Sequence, residues 1–206
     1  MKKLDGIADF LKCSSFLEEK THLLYQSLAD KVDLPLIKSM LLHIAYDSKK
    51  HSAILNGICK SIGGSKMELK DCEKKAGPTL KAIENIQREI PSGKNIQKET
   101  VSSLVKKLAV LESNMGEEYF VLTQMKTLQY MTKEICEIYN VQLQDMKDIF
   151  ELIIRDEETH RELLSRIKKF LTKDDEKTKD TQPEFKYQNP DAWTKPLPDS
   201  VYEGAT

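Results

Sequence analysis

No two of the four cysteines form a C-x-x-C pair. Cys13, Cys59, Cys72 and Cys136 lie far apart, so neither a zinc ribbon nor a rubredoxin-type iron centre is encoded, and they read as buried or free thiols. Glycine is scarce, with 8 in 206 residues, and aromatic residues make up only 7%, a composition that argues against sandwiches and barrels. No uncharged run reaches the roughly 18 residues needed to span a bilayer, and Asp5 interrupts any signal-like run after the opening MKKL. An excess of one charge is missing too: 32 Lys and Arg face 33 Asp and Glu, for a net charge of -1. Without a basic field, neither nucleic acid nor an anionic membrane is an expected partner. These absences point to a cytoplasmic, reducing setting.

What is present suits long helices, with 39% hydrophobic and 32% charged residues. From Leu4 to Val32 apolar residues recur at three- and four-residue steps, which predicts a first helix, A. Asp33 is placed to cap a second, B, with Pro35 in its first turn and an end at Gly63-Gly64. Residues 65–98 read as a long crossover around one short helical segment, TLKAIENIQREI. Helix C is predicted from Lys98 to Met131 and helix D from Tyr139 to Leu171, with a break at 132–138. The fold class is therefore all-α: two antiparallel helical hairpins joined by a long crossover into a four-helix bundle over residues 1–172. Residues 173–206 hold four of the seven prolines and no helical period, and read as an extended, charged tail.

The two hairpins repeat one another. LEEKTHLLYQSL of helix A superposes on LESNMGEEYFVL of helix C, matching Glu18 with Glu112 and Tyr25 with Tyr119. Seven residues make about two turns, so each Glu shares a face with its Tyr. IAYDSKKHSAIL of helix B superposes on IIRDEETHRELL of helix D, matching Asp47 with Asp156, Ser48 with Glu157 and His51 with His160. Glu157 and His160 stand three apart, so a carboxylate and an imidazole can converge on one ion in the bundle core, with Glu18 and Glu112 completing the shell. Mixed oxygen and nitrogen ligands suit iron or manganese, and zinc is a further candidate. Buried carboxylates need a cation or a charged histidine beside them.

These residues resemble the rubrerythrin-like branch of the ferritin-like four-helix proteins, over roughly residues 7–171. In that family a Glu from each of two helices and a Glu-x-x-His from each of the other two hold a di-iron centre. The resemblance implies metal ligands at Glu18, His51, Glu112, Glu157 and His160, and Tyr25 and Tyr119 hydrogen-bonding around the carboxylates. It implies that Asp47 and Asp156 orient the imidazoles through their outer nitrogens. It further implies an oxidoreductase handling O2, peroxide or Fe(II), and iron as one ion or two. The rubredoxin-like module of full rubrerythrins is not expected here.

Ser48 departs from the pattern, which has Glu at that place. An uncharged hydroxyl is a poor ligand, so the position near His51 is expected to be weaker than the one near His160, and Ser48→Glu to raise the stoichiometry. The same departure motivates another reading, a non-catalytic helical bundle that binds a protein partner and keeps a degenerate site. A lone Glu-x-x-His is weak evidence, since both residues are common on exposed faces. Glu19 and His22 form one without a counterpart in helix C, where Ser113 and Gly116 stand, so they read as a solvated face with His22 as an auxiliary ligand at most. His43 reads as structural, and Met115, Met125 and Met131 as core filler. A homo-oligomer, a dimer, is expected, and the aromatic-rich stretch FKYQNPDAWTKPLPDSVYEG makes the tail a candidate docking segment.

Overall fold

The computed structural model describes residues 2–93, 95–124 and 143–176. Six α-helices, and no strand, are found among these residues: α1 (Lys2–Ala29), α2 (Pro35–Ser61), α3 (Leu69–Lys75), α4 (Gly77–Glu89), α5 (Lys98–Gln124) and α6 (Leu143–Glu176). The all-α, ferritin-like reading holds, with α1, α2, α5 and α6 as its four long helices. The chain divides into two units, 1–173 and 174–206. The expected end of helix C, the break at 132–138, the start of helix D, Met125, Met131 and the tail beyond 176 lie outside the described residues.

Each long helix buries one seam with alternating steps of three and four. In α1 it runs Ile7, Leu11, Ser14, Glu18, Thr21, Tyr25, Leu28, and continues to Val32 just beyond the helix. In α2 it runs Ile37, Leu41, Ile44, Ser48, His51, Leu55, Ile58, and in α5 Val101, Val105, Leu108, Glu112, Met115, Tyr119. In α6 it runs Phe150, Ile153, Glu157, His160, Leu164, Ile167, Leu171. A 3-4 repeat keeps a stripe facing its neighbours in a bundle. The polar residues of interest therefore occupy core positions, flanked by leucines and isoleucines that contribute about 2 kcal/mol each on burial.

Contacts between α1 and α2 fix their register. His22 meets Ala45, Ser15 meets Ser52 and Cys59 meets Ala8, so the numbers rise on one helix as they fall on the other. This antiparallel hairpin turns at residues 30–34, where two expectations meet different fates. Pro35 opens α2, as its fixed φ and missing N–H allow. Asp33 does not cap it: the N-cap residue is Leu34, without a side-chain hydrogen bond, because Pro35 already removes one of the donors a cap would satisfy. At the other end, Gly63 and Gly64 take φ of 97° and 73°. Their amides donate to the Lys60 and Cys59 carbonyls at 3.2 and 2.9 Å, the paired bonds of a Schellman ending.

The crossover contains two helices rather than one. α3 was not legible as a separate element, because seven residues rich in charge offer no full helical period. Its path brings Cys72 beside Cys13 of α1, with Cα atoms 5.0 Å apart, and the two form a disulfide. Cys13 and Cys72 are thus not free thiols, and cysteine usage gives no argument for a reducing compartment. Cys59 is free and buried. α6 continues to Glu176, past the predicted end at Leu171, since apolar periodicity marks where burial stops rather than where the helix ends, and residues 172–176 hold neither Pro nor Gly. Among the described residues no helix is long and apolar enough to cross a membrane.

Candidate metal centre

The buried core falls into two apolar clusters. One holds Leu24, Leu28, Leu41, Ile44, Leu108, Leu164 and their neighbours, and the other Ile7, Leu11, Leu55, Ile58, Phe150 and Ile153. Along the seams of α1, α2 and α6, Glu18, Ser48, His51, Glu157 and His160 fall between these clusters, and Glu112 joins them from α5. All six are at most 1% exposed. A polar layer so placed is shut off from bulk solvent, and each ionised carboxylate costs several kcal/mol unless paired.

The ligating atoms converge in two groups, Glu18–His51–Glu157 and Glu112–Glu157–His160, the atoms within each lying within 4.8 Å of one another. Glu157 belongs to both, so its two oxygens can serve two adjacent positions. His51 Nδ1 lies 3.2 Å from Glu157 Oε1 and 3.5 Å from Glu18 Oε1, while His160 Nδ1 lies 2.9 Å from Glu112 Oε2. The imidazole ring centres are 6.0 Å apart.

Around this layer each half of the repeat is held by the other. Tyr25 donates to Glu112 Oε1 at 2.5 Å, and Tyr119 donates to Glu18 Oε1 at 2.6 Å. His51 Nε2 pairs with Asp156 Oδ2 at 3.0 Å, and His160 Nε2 with Asp47 Oδ2 at 3.3 Å. The aspartates do face the outer imidazole nitrogens, but each serves the histidine of the opposite hairpin rather than the one a turn ahead on its own helix. Sequence reasoning missed Lys50, whose ammonium bridges Asp47 and Asp156 at 2.8 Å each. Its place three residues after Asp47 was a signal, but its counterpart in the second hairpin is Thr159, so the repeat gave it no emphasis. His43 lies 3.3 Å from Asp47 on the outer surface, as a structural residue would.

Electrostatics follow from this packing. Burial opposes charge on His51, but Glu157 and Glu18 outweigh it and push the imidazole up to about 10. At His160 burial is likewise outweighed, by Asp47, Glu112 and Glu157, and the ring reaches about 12. Burial, reinforced by the Glu112 charge, pushes Glu157 up to about 8. Glu112 is held low against its burial by His160, and Asp47 is held low by His160 first and Lys50 after it. Burial and Glu112 drive the Tyr25 phenol well up. The packing thus favours the protonated forms of both imidazoles and of Glu157, set against the ionised carboxylate of Glu112.

That balance is incomplete in hydrogen bonds. Glu18 Oε2, His51 Nδ1 and both oxygens of Glu157 are buried without a well-aligned hydrogen bond, their nearest opposite being the His51 Nδ1 to Glu157 Oε1 approach of 3.2 Å, an ion-pair contact of poor hydrogen-bond geometry. Native interiors leave few such groups, and each calls for a cause. All four atoms are metal donors and point into one layer, so the residues present fit an iron- or manganese-type ion.

Ser48 is buried on the same seam, its hydroxyl turned back to the Ile44 carbonyl at 3.2 Å. It joins neither group of ligands. The reason shows in the repeat: in the second hairpin Gly116 lies against Glu157, and a Cβ at 116 would stand 3.3 Å from the Glu157 Cβ. In the first hairpin the matching pair is His22 and Ser48. The helix that carries no side chain in one half carries a large one in the other, where its aligned partner is Ser rather than Glu. His22 Nδ1 is bonded to the Ala45 carbonyl at 2.8 Å, which anchors the ring one turn before Ser48. His22 is therefore buried rather than part of a solvated face, because its ring packs against α2, and it joins neither ligand group, whereas Glu19 pairs outside with Lys49 at 2.7 Å. Met115 is core, 2% exposed.

The family model described as rubrerythrin matches residues 9–125. No curated protein and no solved structure matches the chain.

Proposed function

Because the chain belongs to the rubrerythrin family, we propose that it is an iron-dependent oxidoreductase whose centre is held by Glu18, His51, Glu112, Glu157 and His160. The observation that carries the reading is the set of buried donors on Glu18, His51 and Glu157 that find no well-aligned hydrogen bond in a layer closed off from solvent. Bound iron would supply one-electron redox chemistry toward peroxide or O2. The protein's own groups do the rest. His160, oriented by Asp47, and Glu112, held by Tyr25, make one position rich in anionic and imidazole donors. Glu18, held by Tyr119, and His51, oriented by Asp156, make the other, which lacks a carboxylate at 48. Glu157 is shared between them, and its proton must leave when it ligates. The apolar clusters on either side exclude water and raise the strength of every charge interaction in the layer.

A second reading rests on Ser48: the centre holds a single ion and acts in metal binding without turnover. The two are separated by loading the metal-free protein anaerobically with Fe(II) and adding peroxide. Peroxide consumption in step with oxidation of the iron, lost in Glu157→Ala, is expected of the oxidoreductase. Retention of Fe(II) without peroxide consumption would favour the single-ion protein.

A further inference from the structure

Away from the carboxylate layer, three sulfur atoms meet where the crossover crosses α1. Met67 Sδ lies 3.5 Å from Cys13 Sγ and 3.9 Å from Cys72 Sγ, with Cys13 and Cys72 at most 7% exposed. We propose that these residues form a second metal site of opposite chemical character, taking one Cu(I) when the Cys13–Cys72 disulfide is reduced. Thiolate and thioether are soft donors that select Cu(I), and a thioether in place of a third thiolate disfavours Zn(II). Three sulfurs about 2.3 Å from one ion stand roughly 4 Å apart, so Met67 already sits at the right distance from both cysteines.

The three sulfurs do not depend on the disulfide for their neighbourhood. Lys12 donates to the Ser65 and Met67 carbonyls, Ser65 Oγ bonds Asp9 Oδ1 at 2.6 Å, and the Met67 amide donates to Ser65 Oγ at 3.0 Å. The loop carrying Met67 is thereby tied to the turn of α1 that carries Cys13, and α3 follows directly with Cys72. Reduction leaves these polar ties in place, so the cysteines separate by side-chain rotation while remaining close together.

The chemistry balances with a dithiol reductant. Its two sulfurs close into a disulfide, giving up two electrons and two protons, and Cys13 and Cys72 become thiols. Cu(I) then displaces both thiol protons, while Met67 binds as a neutral donor. The resulting single negative charge lies one residue from Lys12, whose ammonium already holds the Met67 carbonyl. The carboxylate layer, with only hard oxygen and imidazole donors, is a poor competitor for the same ion.

The test uses the full chain carrying Cys59→Ser and Cys136→Ser, which removes the other two thiols. Cu(I) is titrated anaerobically against bicinchoninate, with the protein reduced or oxidised. One Cu(I) per reduced chain is expected, with affinity falling at least about 100-fold on oxidation. Met67→Leu keeps the disulfide and the dithiol, and should weaken binding about tenfold or more, the low end of what partners of a metal contribute. X-ray absorption should count three sulfurs on copper, and two in Met67→Leu. The proposal is overturned if the reduced chain takes up no Cu(I), if adding Cys13→Ser and Cys72→Ser leaves its affinity unchanged, or if Met67→Leu binds as tightly with the same sulfur count.

Discussion

Gly116 lies so close to Glu157 that a Cβ built on the glycine would stand 3.3 Å from the Glu157 Cβ. The missing side chain on α5 is what lets the shared carboxylate of α6 occupy the centre of the layer. In an ordinary helix interior Gly→Ala stabilises by about 0.5–1 kcal/mol. Gly116→Ala should press on the Glu157 Cβ, which offsets that gain and leaves the melting temperature of the metal-free protein nearly unchanged, while displacing Glu157 and weakening metal binding about tenfold. Parallel melting and metal titration of the variant check this, and unchanged affinity would show that Glu157 does not need the space.

The same relationship changes what is expected at position 48. Sequence alone predicts that Ser48→Glu raises the stoichiometry, but His22 stands where the second hairpin has its glycine. Ser48→Glu by itself should crowd the core and lower stability by about 1–3 kcal/mol. Ser48→Glu combined with His22→Gly should recover binding of a second tight ion. A double-mutant cycle read by calorimetry measures the coupling, and strictly additive effects would contradict the compensation.

The crossed aspartates give a prediction that sequence neighbours would reverse. Asp47→Asn should weaken the metal position at His160, and Asp156→Asn the position at His51, each by roughly 10- to 100-fold. Isotope-labelled histidine spectra, which resolve the two rings on loading with a diamagnetic ion such as Zn(II), identify which ring each variant releases. Weakening at the histidine of the same helix would contradict the crossed arrangement.

pH should act in opposite senses on the metal-free and loaded protein. His51 and His160 rise from 6.5 to about 10 and about 12 on folding, so their stabilisation is complete below about pH 6.5 and is lost as pH climbs through the folded values. Glu157 rises from 4.5 to about 8 and acts in the same direction. Glu112, Asp47 and Asp156 are lowered, so their stabilisation is present above the usual carboxylate range and lost in acid. The metal-free protein should melt highest near pH 5 and lose stability toward pH 9. Metal affinity should rise over the same interval, because ligation releases the protons. Melting curves that rise from pH 5 to 9 without metal would contradict the charge pattern.

Much of this centre was legible because a helical repeat carries its own geometry. Once Glu18 aligned with Glu112 and His51 with His160, the 3-4 spacing placed all of them on buried seams, and the ligand groups followed. What the sequence withheld was contact between seams. Tyr25 and Glu18 share a face, yet Tyr25 serves Glu112, because helices packed antiparallel present each side chain to the neighbour rather than to its own previous turn. The role of Gly116 was hidden for the same reason, since a glycine shows its use only against the residue that fills the gap. Cys13 and Cys72 are 59 residues apart, and their pairing depends on the path of α3, whose seven residues give no periodic signal.

We propose that these buried donors form two unequal metal positions sharing Glu157. Anaerobic calorimetric titration of the metal-free protein with Fe(II), run beside His160→Ala and His51→Ala, tests it directly. One tight ion followed by a weaker one is predicted, with His160→Ala abolishing the tight step and His51→Ala removing only the weak one. Less than about 0.1 ion per chain, or two ions of equal affinity, would contradict it.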